Sequence, residues 1–349
     1  MDILGIDIGF GFTKATNGKD SVVFKSIFGE AAHIQFRDQL MDQAGPEGYL
    51  HLEIDGVPYF VGELAERQSN VCSFTLDHSQ FVESFAKTMA LAAMASLMPE
   101  SGSVRVVTGL PVGYYQRQRD QIANILRGRH NLVQFDPKGT RRELSINVAQ
   151  VQVIPQPFGT LLNHMLNDTV EIADKRFAQG KVGVIDIGFR TSDYTIADAT
   201  KYSERGSHTT DSGIAQGFAL IANKLREVSG VNVELYRLYD AVAKGAIKIR
   251  GKTIDITKLT EEVFTKLATA VATEVDRLWT EDWDLDLIVI TGGGGGVLAP
   301  YLKPLLQGEV MALDASKDLR LQNVRGYWKY AKHLWGRSPS SPQIESTEV

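Results

Sequence analysis

A five-residue unit, I-D-I-G-F, stands at residues 6–10 and recurs at 185–189. Its surroundings recur with it: GIDIGFGFTKAT early in the chain and VIDIGFRTSDYT past its middle each read as a strand, a glycine turn and a second strand. A unit repeated this way, once in each half of 349 residues, predicts two related α/β domains rather than one. The rest of the pattern agrees. HLEIDGVPYFVGE reads as a hairpin turning at Asp55-Gly56, and residues 78–98 and 113–128 read as helices, with VRVVTGLP a buried strand between them. Near residue 150 the order restarts: VQVIPQPFG is a strand into a turn, and LLNHMLNDTVEIADKRF has helical spacing. Later, LDLIVITGGGGGVLAPYL reads as a parallel-sheet strand, a glycine turn and a helix start.

Charge and composition narrow the function. Basic residues number 37 and acidic ones 42, a net charge of −5, so the chain as a whole is no polyanion binder. The single cysteine, Cys72, excludes an internal disulfide, a CxxC pair and a protein-only zinc or iron–sulfur site. The seven histidines show no HxxxH or HExxH spacing. The N-terminus lacks a basic segment followed by a long apolar run, and the most apolar stretch, AKTMALAAMASLM, falls short of a membrane span. A cytoplasmic location is expected. The polar, Ser/Pro-containing end GRSPSSPQIESTEV is expected to be disordered, and residues 29–48 to form a loop or small insert.

The repeat also carries the chemistry. Each copy puts an aspartate at a strand end with glycines directly after it. Glycines let backbone N–H groups approach phosphate oxygens, and a carboxylate there can hold a hydrated Mg²⁺ or orient water. In the first copy Asp7 precedes Gly9, Phe10, Gly11, Phe12, Thr13 and Lys14, the last a point charge for a β- or γ-phosphate. In the second, Asp186 precedes Gly188, Phe189, Arg190, Thr191 and Asp193. One such turn is ordinary; two with matching flanks, facing one another, would clamp a polyphosphate. The run Gly292, Gly293, Gly294, Gly295 and Gly296 after LIVIT suits close backbone approach to a nucleotide, although it has neither the P-loop nor the dinucleotide spacing. Asp211 and Gly213, with Ser212, lead into a helix and are weaker candidates for nucleotide contact. The acidic run Glu274 to Asp286 reads as a solvated helix end, and RGYWKYAKHLWGR as a closing helix packing Tyr327, Trp328, Leu334 and Trp335 on the first domain.

The order of these segments resembles the actin/Hsp70/sugar-kinase superfamily. DIGFGFTK is similar to its first phosphate motif, IDIGFRTSDYT to its second and VITGGGGGVLAPYL to its adenosine motif. Within it, the acid-to-acid spacing of Asp186 and Asp193 and the ending NVRGYWKYA most resemble the prokaryotic actin-like proteins of the plasmid-segregation ParM/StbA type. The resemblance implies an actin-like (ribonuclease H-like) fold with a nucleotide cleft between two domains. Domain I would take 1–155 plus 321–337, with 29–75 a small subdomain, and domain II 156–320, with 338–349 a disordered tail. It implies ATP, or alternatively GTP, with Mg²⁺ held through water by Asp7 and Asp186. Gln156, in the position of the first connecting motif, would orient the attacking water with Asp186. It further implies self-assembly into filaments, and a DNA-bound adaptor rather than direct DNA contact. A sugar-type kinase or a non-polymerising switch on the same fold is the alternative. An Hsp70-type regulator normally carries a further substrate-binding domain, and reductase-activating relatives need cluster cysteines that this chain lacks.

Overall fold

The two copies of I-D-I-G-F become the same piece of sheet. The computed structural model describes residues 1–31, 48–311, 314 and 318–336; the expected tail and most of the expected insert at 29–48 lie outside these. The first half runs β1 (Asp2–Ile8), β2 (Phe12–Thr16), β3 (Ser21–Lys25), β4 (Phe28–Glu30), β5 (Leu50–Ile54), β6 (Val57–Val61), α1 (Glu63–Gln68) and β7 (Cys72–Ser73). Then α2 (His78–Gln80) passes through one π turn (Phe81–Phe85) into α3 (Ala86–Leu97). It is followed by β8 (Gly102–Leu110), α4 (Val112–Leu126), β9 (Gly128–Phe135) and β10 (Arg141–Pro155). The second half runs α5 (Gln156–Met165), α6 (Lys175–Gln179), β11 (Lys181–Ile187), β12 (Ser192–Asp198), β13 (Lys201–Thr210), α7 (Ile214–Ser229) and α8 (Leu238–Lys244). The hairpin β14 (Ala246–Ile249) and β15 (Lys252–Asp255) follows, then α9 (Thr257–Trp279), β16 (Leu287–Thr291), α10 (Gly293–Leu302) and α11 (Gln322–Trp335).

The larger sheet has the order β3-β2-β1-β8-β10-β9-β5-β6-β4-β7, and the smaller β13-β12-β11-β16. The segment β3-β2-β1-β8 repeats the smaller sheet strand for strand: an antiparallel meander of three, then a parallel strand reached by a crossover. Parallel strands with helices on both faces bury every side chain. Hence LGI in β1, VGVIDI in β11 and LIVIT in β16 are continuously buried. The Asp55-Gly56 turn forms as its residues require, both with positive φ (53° and 81°), closing β5 onto β6.

Two segments differ from the sequence reading. The helix expected over 161–177 ends at Met165, because Asn167 Oδ1 accepts the N–H groups of Thr169 and Glu171 and turns the chain. The strand ending at Pro155 has no turn after it: Gln156 is already helical, with Pro157 in the first turn, where its missing N–H costs nothing.

The closing helix forms, and it packs on both β1 and α5 through glycines. A Cβ on Gly5 would stand 2.4 Å from Val324 O, one on Gly159 2.5 Å from Asn323 O, and one on Gly326 would overlap Gly159 O. Tyr327 is fully buried, Trp328 lies over Gly18, and Trp335 stacks near Arg105. Leu334 does not join them; it is 41 % exposed, on the far side of the helix. Among the described residues no helix is long and apolar enough to cross a membrane.

Candidate active site

The strand–turn–strand units meet at the C-terminal ends of β1 and β11, between the two sheets. In the first, Ile8 pairs with Thr13 and Gly9 N donates to Phe12 O at 3.1 Å; in the second, Ile187 pairs with Ser192 and Gly188 N donates to Thr191 O at 2.9 Å. Both are therefore four-residue turns of one design. They touch: a Cβ on Gly11 would lie 2.9 Å from the Phe189 Cβ. Register then fixes what each aspartate faces. Asp7 lies opposite Lys14, and Asp186 opposite Asp193.

Around Asp7 the contacts are ionic and tight. Lys14 Nζ donates to its Oδ2 at 2.8 Å, and Gln156 Nε2 to its Oδ1 at 3.2 Å. Asp186 is held from another side by Asn323 Nδ2, at 2.6 Å. Asn323 is itself fixed, its Oδ1 accepting from Thr160 N and Thr160 Oγ1. The Asp186 carboxyl is pushed up to about 6, mainly by burial and further by the charge of Asp7, against the opposing pull of Asn323 and Lys14. Asp193 is pushed up to about 7, again chiefly by burial, although Thr209 and the Val112 amide bond it. Burial and the nearby Arg190 lower His78 to about 4, so this ring at the cleft edge is neutral.

The glycine run is structural and directional at once. Gly292, at φ 85°, packs where a Cβ would fall 2.4 Å from Asp186 Oδ1, and a Cβ on Gly294 would fall 2.9 Å from Gly188 O. Bare backbone thus brings the first turn of α10, with its unbonded N–H groups, against the second aspartate turn. That turn is braced from behind. The N–H groups of Gly213, Ile214 and Ala215 bond the carbonyls of Arg190, Gly188 and Phe189.

Of the residues singled out from sequence, the structure brings Asp7, Gly9, Phe10, Gly11, Phe12, Lys14, Gln156, Asp186, Gly188, Phe189, Arg190, Thr191 and Gly292 to Gly294 around one cavity. Thr13, Asp193, Asp211, Ser212, Gly213, Gly295 and Gly296 do not line it. Thr13 is buried and bonds Ser26 at 2.9 Å; Gly295 faces Ile290; Gly213 supports the turn as described. Asp211 points outward and pairs with Arg190 at 2.9 Å. Arg190 in turn donates to Leu76 O, crossing to the other half. Ser212 does not cap α7; the N-cap is Gly213. The acidic run is not wholly solvated either, since Asp282 is buried against Lys181 and Arg205.

The cleft also contains residues that the sequence did not disclose. Tyr239 and Arg320 close over Phe12, the ring at 4.6 Å and the guanidinium at 4.9 Å from its centroid. Tyr239 comes from α8, and Arg320 with Asn323 from the start of the closing segment, where Asn323 opens the NVRGYWKYA already noted. The enclosed space is ≈ 70 Å³, far below the roughly 300–1,000 Å³ of small-molecule sites, so the two halves stand closed on each other.

A Mg²⁺ ion fits the donor set. Asp7 and Asp186 are buried carboxylates; the charge of Asp7 raises the proton affinity of Asp186, and Lys14 pairs with Asp7 at 2.8 Å. Among the described residues no three ligating side chains cluster.

Two family models cover most of the chain. One described as the N-terminal domain of actin like proteins matches residues 5–159, and one described as the C-terminal domain of MreB-like archaeal actin homologues matches 184–304. No curated protein sequence matches. Among solved structures, a non-polymerisable quadruple mutant of pCBH ParM superposes with a TM-score of 0.80 at 24% identity, over 95% of this chain and 99% of that one. A 15-stranded ParM filament from Clostridium botulinum gives 0.80 at 22%, over 95% and 99%. The archaeal actin homologue Ta0583 in complex with ADP gives 0.76 at 18%, over 95% and 100%. At these identities the likeness establishes the fold.

Proposed function

The chain belongs to the actin-like proteins, and from that premise we propose that it is a cytoplasmic Mg-ATP-dependent ATPase that assembles into filaments. DNA or plasmid segregation through a DNA-bound adaptor, or another positioning task, is the role that fits. The observation that carries the reading is the pair of like aspartate turns in contact across one cleft, with Lys14, Gln156 and Asn323 bonded to their carboxylates. The ADP-bound archaeal homologue and the ParM filament support it by analogy of fold.

In this reading the backbone N–H groups of the two turns at residues 10–12 and 189–191, with Lys14, cradle the phosphates. The first turn of α10 at Gly292–Gly294 approaches the nucleoside. Asp7 and Asp186 are the residues that would hold Mg²⁺ through water, and the bound ion would supply positive charge for the phosphoryl oxygens. Gln156 is an amide and takes no proton. It spends one N–H on Asp7 and offers its carbonyl oxygen to the attacking water. Asp186, with its raised proton affinity, completes the positioning of that water. Little covalent chemistry is asked of the protein; positioning and charge do the rest.

The test is right-angle scattering and pelleting after Mg-ATP addition, with phosphate release followed in parallel, for the wild type and Asp186→Asn. Nucleotide-dependent assembly by both, with phosphate release by the variant reduced about 100-fold or more, is the expected result. Phosphate release without assembly at any protein concentration would leave a monomeric switch or a kinase.

A further inference from the structure

Trp283 is the most exposed large apolar side chain among the described residues, at 87 %. Indoles are usually mostly buried, and tryptophan is the side chain most enriched at the energetic centres of protein contacts. Its loop is not loose. Beneath it the buried Asp282 accepts from Lys181 Nζ at 2.9 Å and Arg205 Nη2 at 2.6 Å. Asp282 N donates to Trp279 O and Leu285 N to Asp282 O, while Lys181 and Asp286 exchange two further bonds. The ordering cost of presenting the indole is thus already met within the folded domain. Exposed Glu281 and Asp284 flank it, and Asp284 is itself paired with Lys181 at 2.5 Å.

The 23-residue helix α9 leads into this loop and is roughly 35 Å long. At its other end stands the hairpin β14–β15. Its two-residue turn has Arg250 and Gly251 both at positive φ, the tight type that holds a hairpin stiff. Lys248, Arg250 and Lys252 are exposed on it, with Lys244 and Lys258 near its base, and none of the five has an ion pair among the described residues. One domain therefore carries a stiff acidic and aromatic knob at one end of a rod and a stiff basic hairpin at the other.

We propose that the Trp283 loop of one molecule docks on the β14–β15 hairpin of a second copy of this chain, head to tail along the direction of α9. This rests on the filament reading above and names a surface for it. Two different patches joined by translation make a contact that does not close, which is the condition for an open polymer. The chemistry matches: a guanidinium or ammonium from the hairpin covers the indole face, while Glu281 meets a remaining lysine.

Trp283→Ala and the double variant Lys248→Glu/Lys252→Glu separate the outcomes, because neither change touches the cleft and fluorescent-ATP affinity checks the fold of each. Each variant alone is expected to raise the critical concentration for Mg-ATP assembly at least tenfold. Mixed in equal amounts, each retains one good end, so sedimentation velocity should show a one-to-one dimer and no polymer. Assembly of Trp283→Ala at wild-type concentrations overturns the docking surface and leaves the filament reading standing. A wild type that stays monomeric in Mg-ATP overturns both. Loss of DNA retention by the lysine variant with unchanged assembly makes the hairpin a polyanion site and overturns the docking surface alone.

Discussion

Asp193 shows how much one buried carboxyl can govern. It faces Asp186 across the β11–β12 ladder and is wholly buried, with its carboxyl near 7 rather than the usual value near 4. Between those pH values the folded state holds a proton that the unfolded chain has lost, so this group makes stability fall as pH rises from about 4 to about 7. Its contribution is fully present below the unfolded value and gone above the folded one. Asp193→Asn keeps an acceptor for the Val112 amide and Thr209 hydroxyl but cannot ionise. Urea denaturation of the variant should match the wild type near pH 4 and exceed it increasingly up to pH 7, the gap widening by roughly 1.4 kcal/mol with each step of one in pH. A constant offset across that range would mean that Asp193 is ionised in the native state. Asp7, Lys14 and Asp186 were readable in advance because a repeat marks their positions, and Gln156 because it stands where the resembled family has its first connecting motif. Tyr239, Arg320 and Asn323 were not. Each is a single residue brought into the cleft by folding, and an isolated Tyr, Arg or Asn leaves no periodic trace.

Among the elements, the crossing of α5 and α11 has the least tolerance. Gly159 and Gly326 meet backbone to backbone, and a methyl at 326 has no room to stand clear of the Gly159 carbonyl. Gly326→Ala should improve isolated helix propensity by about 1 kcal/mol and still lose stability, by roughly 1–3 kcal/mol net, because the helices must be driven apart. Chemical denaturation gives the sign; a gain would show that the crossing can widen. Elements with strong periodic or continuous apolar patterns, such as β1, β11, β16 and α3, were legible in the sequence. β13 was not: KYSERGSHTT is an exposed edge strand with no apolar alternation, held by pairing to β12. The end of α5 was hidden for a different reason, since the side-chain bonds of Asn167 override the helical spacing of its neighbours.

At the scale of the whole molecule, the chain passes between the two sheets at Gln156 and again near Gln322, and α5 and α11 lie together there. That is the geometry of a hinge, and a cavity of ≈ 70 Å³ means that it must open for a nucleotide to enter. Among the described residues, the ties between the halves away from those helices include the ion pairs Lys25–Asp240 and Arg237–Glu66, both at 3.6 Å, and three hydrogen bonds. Val112 N donates to Asp193, Gly113 N to Thr209 Oγ1 at 2.7 Å, and Arg190 Nε to Leu76 O at 3.0 Å. Since α4 moves with the larger sheet and β12–β13 with the smaller, rotation about α5 and α11 has to stretch or break the first two of these hydrogen bonds. Thr209→Val removes an acceptor for Gly113 and a donor to Asp193 without changing charge or side-chain size. A net hydrogen bond is worth about 0.5–1.5 kcal/mol, so the open state should gain about 2- to 10-fold in population. If opening limits entry, stopped-flow binding of a fluorescent ATP analogue should speed up by that factor, with the release rate rising less. An unchanged entry rate would place the slow step elsewhere, at the Arg190–Leu76 contact or at displacement of Tyr239 and Arg320 from over Phe12.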